Sequence, residues 1–319
     1  MDIIKLRNKI LGKNKISKHE ALALIDADLK LLCKCADEIR EHFCKDKFDL
    51  CSIINAKSGR CPEDCKYCAQ SVYYNTNVEE YSLLDSETII KAAKENYRKG
   101  VLRFSLVISG RRPTKSEVNQ ICEIIKEIKQ QTKIEICASL GLVDSEDLKL
   151  LKKAGLTRIH NNLESSRNFF KTVCTTHTTD EKIKTIKAAQ ELGIEVCSGG
   201  ISGLGESFED RIDLAFMLSE LKVMSIPMNF LCTIEGTPYE NNKLLTKDEI
   251  LRTCAIFRFI NPKAFIRLAG GRYLTEDSGK ECLKSGINSL ITGDMLTTSG
   301  GTILSDIKMA EDMGFKITL

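Results

Sequence analysis

The sequence predicts an α/β fold, a (β/α)8 barrel of the TIM type preceded by an N-terminal helical extension. Three observations predict it. From about residue 48 onward, short apolar runs alternate eight times with longer amphipathic runs. Gly100, Gly155 and Gly193 stand where helix-like runs end. The stretch from residue 48 to the end is also close to the roughly 250 residues that such a barrel takes.

The predicted elements follow in chain order. Residues 1–45 form the extension, and within it Lys18 to about Phe43 has apolar residues at helical spacing. The remainder, residues 46–319, forms the barrel. Its strand-like runs are 50–55, 102–109, 133–139, 157–163, 194–198, 224–231, 264–269 and 288–291, and the helix-like runs include 87–99, 115–130, 180–192, 209–221 and 247–260. This alternation implies a parallel sheet with right-handed crossovers, and a doubly wound open sheet is the alternative.

The composition excludes several classes of partner. Of 319 residues, 42% are hydrophobic and 29% charged, and the formal net charge is only +3. So small a surplus provides no electrostatic footprint for nucleic acid or an anionic membrane. The segment Met1–Ser17 is basic but lacks the apolar stretch of a secretory signal, and no apolar run is long enough to span a bilayer. We therefore expect a cytoplasmic protein that binds neither nucleic acid nor membrane.

Cysteine is unusually abundant, at 14 residues. A disulfide framework is not expected in a reducing compartment, so some thiols are candidates for metal or catalytic work while others are small buried hydrophobes. Cys61, Cys65 and Cys68 have the spacing C-x3-C-x2-C in the loop after the first strand. A structural zinc site needs four ligands, and no histidine stands beside this loop. Three thiolates favour a [4Fe–4S] cluster that leaves one iron open.

With Tyr67 as its aromatic residue, this loop resembles the signature of the radical S-adenosylmethionine (SAM) enzymes. The resemblance implies that the open iron chelates SAM and that an electron from the cluster cleaves SAM to a 5′-deoxyadenosyl radical. The run Gly199-Gly-Ile201-Ser-Gly203-Leu-Gly-Glu206 is similar to the adenine-contacting turn of these enzymes. On its residues alone, it is a glycine-rich strand-to-helix turn that lets a ligand approach the backbone.

Thiols also recur on alternate strands. Ile134-Glu-Ile-Cys137 and Ile194-Glu-Val-Cys197 are nearly the same text, and alternation places their Ile and Val side chains toward the helices and their thiols inward. Cys51 on the first strand and Arg267 on the seventh can also point inward. Alternate strands supply one layer of a barrel interior, so these four side chains are predicted to share a layer. The alternative is that the three thiols are buried and purely structural.

The chain resembles the biotin synthase family over nearly its whole length. The matching segments are 57–71, 196–206, 227–231, 236–238 and 266–272. The resemblance implies insertion of sulfur into dethiobiotin, with the sulfur taken from an auxiliary iron–sulfur cluster on three cysteines and an arginine, among which Cys137, Cys197 and Arg267 match. It further implies a homodimer, an iron–sulfur assembly machinery as partner, and reduced flavodoxin or ferredoxin as electron donor.

One auxiliary ligand departs from the family pattern, because Ser105 stands where the family has its strand-two cysteine. Serine is a poor ligand for a soft iron–sulfur centre. We hypothesise that Cys51 takes the role, and that three thiolates with one open position favour a four-iron auxiliary cluster over the usual [2Fe–2S]. Cys232, which follows the sixth strand, is an additional candidate, although a loop thiol is the more ordinary interpretation.

The resemblance also implies contacts to SAM and substrate. For SAM these are Tyr67, Asn162, Glu164, Lys182, Gly199, Ile201, Gly203 and Glu206. For the substrate's ureido ring they are His160, Asn162 and Asn229, where His160 replaces the family's usual asparagine. On residues alone, His160-Asn-Asn162-Leu-Glu164 is a polar period-two face that needs buried partners. Lys182 by itself is an ordinary solvated helix charge.

Other functions remain open at this point. Hydrogenase-maturation and methylornithine-synthase enzymes are related radical SAM barrels, and Ser105 and His160 leave them as alternatives. Lipoyl synthase expects an additional cysteine triplet whose spacing Cys33, Cys35 and Cys44 do not have. A non-catalytic electron carrier or a zinc-bound module has no need of an open iron or a glycine-rich nucleotide turn.

Overall fold

The computed structural model describes residues 2–293 and 301–318. Within them, twelve α-helices are α1 (Ile3–Leu11), α2 (Lys18–Leu22), α3 (Leu29–Cys44), α4 (Ser86–Arg98), α5 (Lys115–Gln131), α6 (Ser145–Ala154), α7 (Arg167–Val173), α8 (Thr179–Glu191), α9 (Phe208–Glu220), α10 (Lys247–Ile260), α11 (Lys280–Leu283) and α12 (Ile303–Asp312). Ten strands are β1 (Lys47–Lys57), β2 (Arg103–Ile108), β3 (Glu135–Ser139), β4 (Leu156–His160), β5 (Glu195–Cys197), β6 (Gly200–Ser202), β7 (Ser225–Phe230), β8 (Phe265–Leu268), β9 (Ser289–Thr292) and β10 (Lys316–Ile317), and Arg272–Thr275 is a 3₁₀ turn.

The sheet is a closed parallel barrel. Eight strands, β1 to β5 and β7 to β9, follow one another around it, and β9 pairs with β1 as well as with β8. The closing ladder sets Cys51 opposite Ile291. The predicted (β/α)8 barrel is therefore confirmed and the open-sheet alternative is wrong. Short β6 and β10 add to β7 and β1 respectively.

The helical extension is less continuous than its periodicity predicts. The expected helix from Lys18 to about Phe43 is broken into α2 and α3 by turns at residues 23–28. Asp28 begins α3 by accepting a hydrogen bond from the Leu31 amide at 2.8 Å. The break is stabilised from outside, since Arg252 of α10 donates to the carbonyls of Leu24 and Ala27. A tertiary contact thus replaces the helical hydrogen bonds that the pattern alone predicts.

Helices α5 and α10 begin at the predicted positions, residues 115 and 247, and a capping residue precedes each of them. α5 and α10 each begin with a capping box, formed by Thr114 with Glu117 and by Thr246 with Glu249. In each, the threonine oxygen accepts from the third helical amide and the glutamate carboxylate accepts from the threonine amide. Because these caps lie on the βα side of the barrel, they fix the loops that carry the site.

The two faces of each strand pack against different surroundings. Ile136 and Ala138 of β3 belong to the apolar core between sheet and helices, whereas Cys137 between them is equally buried but outside that core. On β1, Leu50 likewise belongs to the apolar core, whereas Cys51 is buried outside it. Since side chains alternate along a strand, the thiols face the barrel interior.

No helix in the described ranges, 2–293 and 301–318, is long and apolar enough to cross a membrane.

Candidate functional site

The three-cysteine loop between β1 and α4 is folded back on itself. The Cys61 amide donates to the Gln70 carbonyl at 2.9 Å, and the Val72 amide donates to the Cys61 carbonyl at 2.9 Å. A tight turn follows, in which the Cys68 amide donates to the Cys65 carbonyl at 3.0 Å. Cys61 and Cys65 are buried and Cys68 is half-buried. The backbone therefore holds all three thiols within one compact loop.

A second segment clamps this loop to the barrel. The Asp64 carboxylate accepts hydrogen bonds from the backbone amides of Thr175 at 2.8 Å and Thr176 at 3.2 Å, and from the Cys174 thiol at 3.2 Å. Burial raises the pKa of Asp64, but these hydrogen bonds outweigh it and hold the pKa well below its usual range. Arg111 adds an ion pair with Glu63 at 3.0 Å. The loop is thus tied to the connection between α7 and α8.

The separation of the thiols favours a cluster over a single metal ion. In the described part of the chain, only Cys65, Cys174 and His177 form a group of three or more ligand atoms within 4.8 Å of one another. Cys61 and Cys68 therefore do not join Cys65 at the spacing of ligands on one ion. A cuboidal cluster puts each thiolate on a separate iron and spreads them further apart. The residues present fit a [4Fe–4S] cluster better than zinc.

The glycine-rich turn is held by its own glutamate. The Glu206 carboxylate accepts from the Gly203 amide at 2.8 Å and pairs with Arg211 at 2.6 Å. Gly203 has φ +99°, a left-handed conformation that favours glycine. At Gly199, glycine is required for a different reason: a Cβ there would lie 1.9 Å from the Pro227 carbonyl oxygen. Glu206 therefore stabilises the turn, and Gly199 allows the backbone to pass close to Pro227 of β7.

Asn162 and Glu164 link strand β4 to that turn. Asn162 Oδ1 accepts from the Gly199 amide at 2.9 Å, and Asn162 Nδ2 donates to Glu164 Oε2 at 3.3 Å. Glu164 has φ +70°, and its carbonyl accepts from the Ile201 amide at 2.8 Å. A non-glycine residue in this conformation is a strained position of the kind found at ligand sites.

Tyr67 belongs to the cluster loop, and Lys182 belongs to α8. Burial and the nearby Glu164 carboxylate raise the pKa of Tyr67 well above its usual value. Lys182 is buried, with Nζ 5.5 Å from the centre of the Phe170 ring, and its charge acts on the Cys65 thiol. The structure therefore corrects the view of Lys182 as a solvated helix charge. A buried cation beside the cluster loop suits a carboxylate ligand.

The barrel interior brings Cys51, Cys137, Cys197 and Arg267 together. The Cys197 sulfur accepts from Arg267 Nη1 at 3.6 Å. Burial raises the pKa of Cys51 to about 11, and among further causes Cys197 raises it. Burial, Cys197 and Cys51 raise the pKa of Cys137 in the same way. All four side chains are buried, and the contact between Cys197 and Arg267 is one that the predicted layer requires.

Charged residues that the sequence analysis did not single out surround these thiols. Asp49 pairs with Arg158 at 2.9 Å and with Arg267 at 2.8 Å, and Arg103 lies 3.7 Å away. Glu195, at the barrel end, pairs with Arg158 at 2.8 Å. Three guanidinium groups face two carboxylates, which leaves a positive excess beside the thiols. Asp49 stands two residues before Cys51, so strand alternation could have found it.

His160 and Asn229 have partners inside the protein. His160 is the strand partner of Cys197 across β4 and β5, and although burial raises the pKa of Cys197, His160 and the nearby arginines lower it on balance. Asn229 donates to the Gly200 carbonyl at 3.1 Å and accepts from the Gly270 amide at 3.0 Å. His160 thus lies against the interior thiols, while Asn229 keeps one donor and one acceptor position for another group.

Two families match the chain. Residues 56–218 match the Radical SAM superfamily, and residues 227–316 match the Biotin and Thiamin Synthesis associated domain. Biotin synthase of Brachyspira hyodysenteriae is 55% identical over 314 residues, covering 98% of this chain and 94% of that protein. Biotin synthase of Clostridium botulinum (strain Hall) is 53% identical, covering 99% of each. The chain belongs to the biotin synthase family. Within that family it is a radical SAM sulfurtransferase of biotin biosynthesis, which requires a [4Fe–4S] cluster and SAM.

Solved structures of radical SAM barrels share the fold. Methylornithine synthase superposes with a TM-score of 0.86 at 20% identity, covering 98% of this chain and 97% of that one. A maturase of the [FeFe]-hydrogenase gives 0.83 at 16% identity, covering 98% and 74%. These low identities indicate a common barrel only. The biotin synthase relatives, at 50–55% identity, decide the function over those two alternatives.

Proposed function

We propose that the chain inserts sulfur into dethiobiotin with sulfur drawn from an auxiliary iron–sulfur cluster on Cys51, Cys137 and Cys197. The observation that carries the proposal is the enclosed interior group of three thiols beside an excess of positive charge. Such a site stabilises an anionic cluster, because thiolate ligands and sulfides both carry negative charge. Cys61, Cys65 and Cys68 would hold the [4Fe–4S] cluster, which would supply the electron for the cleavage of SAM.

Arg267 is better suited to act as a cation beside the auxiliary cluster than as a ligand of its iron. It pairs with Asp49 at 2.8 Å and donates to the Ser225 hydroxyl at 3.0 Å. Burial lowers the pKa of Arg267, but Asp49 and Cys197 raise it above its usual value. A protonated guanidinium has no lone pair for iron. The ligand role that the resemblance implies would require the Asp49 pair to open.

Three thiolates without a fourth protein ligand support a four-iron auxiliary cluster. Ser105 is buried on β2 directly opposite Cys137 in the strand register, so it occupies the expected position without a thiol. The Cys232 thiol donates to the Phe230 carbonyl at 3.6 Å, which favours the loop-thiol interpretation of this residue over a ligand role. An iron left open in such a cluster could carry the sulfide that is transferred.

The chain's own residues bind and orient the reactants. Lys182 and Glu164 would hold SAM between the cysteine loop and the glycine-rich turn formed by Gly199, Ile201, Gly203 and Glu206, with Tyr67 and Asn162 as neighbours. Asn229 would recognise the ureido ring through its remaining donor and acceptor, beside His160. From the family resemblance we also propose reduced flavodoxin or ferredoxin as electron donor, the iron–sulfur assembly machinery as partner, and a homodimer. We further propose that the helical extension, residues 1–45, and the barrel, residues 46–319, are separate domains.

Anaerobic turnover tests the reaction. Reconstituted protein with SAM, a reductant and dethiobiotin is expected to form biotin and 5′-deoxyadenosine, read by mass spectrometry. Formation of 5′-deoxyadenosine without biotin or a thiolated intermediate would contradict dethiobiotin as the substrate.

Iron analysis of variants tests the auxiliary cluster. We expect about eight irons per chain in the unsubstituted protein, against about six for a [2Fe–2S] auxiliary cluster and about four for none. Cys51→Ala is expected to lose up to four of these irons, whereas Cys232→Ala and Cys122→Ala, the latter a buried thiol on α5, keep all of them. A Cys51→Ala protein with full iron content would refute the ligand role of Cys51.

A further inference from the structure

A compact group of donor atoms joins Cys65 of the cysteine loop to two residues that the sequence does not single out, Cys174 and His177. Cys65 Sγ, Cys174 Sγ and a ring nitrogen of His177 lie within 4.8 Å of one another, and all three residues are buried. Cys174 and His177 come from the connection between α7 and α8, more than a hundred residues after Cys65. The fold, not a sequence motif, brings them together.

These donors have the chemistry and spacing of a mononuclear metal site. Two thiolates and an imidazole are ligands that Zn²⁺ and Fe²⁺ accept, with Zn–S distances of about 2.3 Å and Zn–N distances of about 2.0 Å. Ligand atoms around such a tetrahedral ion are about 3.5–3.8 Å apart. The Cys174 sulfur lies 4.0 Å from His177 Nε2 and 3.2 Å from Nδ1. Small side-chain shifts therefore bring the donors to bonding distance.

The environment of the imidazole supplies a second, independent indication. His177 Nδ1 hydrogen-bonds the Glu63 carboxylate, whose other oxygen pairs with Arg111 at 3.0 Å. Metal-ligating histidines characteristically donate their second ring N–H to a carboxylate, which fixes the tautomer and leaves the other nitrogen free for the ion. Here the Glu63 bond would leave Nε2 as the metal-binding atom.

We propose that the chain without its iron–sulfur cluster binds one Zn²⁺ or Fe²⁺ ion through Cys65 Sγ, Cys174 Sγ and His177 Nε2. Water completes the tetrahedron, and the two thiols release their protons to solvent as they bind. Cys65 belongs both to this site and to the three-cysteine loop, so a bound ion and the cluster exclude each other. The inference does not depend on the auxiliary cluster.

X-ray absorption at the zinc edge tests the site on the unsubstituted chain. Iron-free protein receives one equivalent of Zn²⁺. We expect a first shell of two sulfurs at about 2.3 Å, with the multiple-scattering signature of one imidazole. A shell of three sulfurs without imidazole would overturn the proposal, because it would place the ion on the three-cysteine loop or on the barrel thiols.

Substitutions then assign the ligands, with Co²⁺ as the optical probe. A Cys61→Ala, Cys68→Ala chain removes the cluster loop's other thiols and is expected to keep one tetrahedral Co²⁺ site. In that background, Cys174→Ala or His177→Asn is expected to weaken binding at least about 100-fold, and Glu63→Gln about 10–100-fold. Cys122→Ala is the matched control and should change nothing.

Affinities within twofold of the background for both Cys174→Ala and His177→Asn would refute the assignment. Circular dichroism shows whether each variant is folded, and the zinc-edge measurement needs no variant at all. The failure of this proposal is distinct from that of the proposed function, which is read from biotin formation.

Discussion

Replacing Asp49 with asparagine tests the charge balance of the barrel interior. Asp49 is 1% exposed and is the carboxylate that pairs with Arg267, at 2.8 Å. Arg158 has a second partner in Glu195, but in the described structure Arg267 has no other carboxylate within ion-pair distance. Asp49→Asn therefore leaves a buried guanidinium uncompensated, which costs about 3–5 kcal/mol.

Scanning calorimetry of iron-free protein at pH 7 measures this cost. For 319 residues, the unfolding entropy is about 0.7 kcal/mol/K, so the expected fall in Tm is about 4–7 °C. Asp46→Asn is the matched control, because Asp46 pairs with Lys316 at the exposed start of the same strand and its loss should give no measurable shift. Equal Tm values for Asp49→Asn and the unsubstituted chain would refute the reasoning.

The pH dependence provides a second check. Burial raises the pKa of Asp49, but Arg267, Arg158 and Arg103 outweigh it and hold the pKa below its usual value of about 3.9. A carboxyl whose pKa is lower in the folded than in the unfolded chain contributes stability above about pH 4 and loses it as the pH falls. The Tm difference between Asp49→Asn and the unsubstituted chain should therefore narrow below about pH 4. A difference that stays constant down to pH 3 would contradict this.

Three further changes have definite expected results. Arg258→Met removes a fully buried guanidinium that donates to the Gly286 and Ala264 carbonyls and to Asn288 Oδ1, at 2.7, 2.8 and 2.8 Å. Because these acceptors lose their donor, the free energy of unfolding should fall by about 3–5 kcal/mol, measured by urea unfolding. Gly199→Ala places a methyl 1.9 Å from the Pro227 carbonyl oxygen and should destabilise the barrel and prevent SAM binding, measured by calorimetric titration. Ser105→Cys adds a fourth thiol to the interior group and should convert the auxiliary cluster to [2Fe–2S], lowering iron from about eight to about six per chain.

Each of these changes has a matched control. Arg60→Met removes an exposed ion pair with Glu80 and should leave the urea midpoint unchanged. Gly12→Ala adds a methyl whose nearest contact is 3.4 Å and should be tolerated. Ser52→Cys adds a thiol to the other face of β1 and should leave the iron content unchanged. An Arg258→Met protein as stable as Arg60→Met, a Gly199→Ala protein that binds SAM normally, or iron unchanged in Ser105→Cys would contradict the respective argument.

Local patterns in the sequence determined most of the fold and the cysteine loop. The alternation of strand and helix runs predicts the barrel because side-chain periodicity follows directly from backbone geometry. Alternation also predicts that Cys51, Cys137 and Cys197 face inward, since each directly follows an apolar residue that faces the helices. The C-x3-C-x2-C spacing indicates the metal site because those three residues are neighbours along the chain.

Only the tertiary structure decided which distant side chains meet. The helix predicted from Lys18 to about Phe43 is broken because Arg252 of α10 donates hydrogen bonds to two backbone carbonyls there. The Asp49–Arg267 pair joins β1 to β8, which barrel closure brings to either side of β9, and Cys174 meets Cys65 through a loop contact. Neither pairing has a local periodic signal, because each depends on how the barrel closes and its loops pack and not on spacing along the chain.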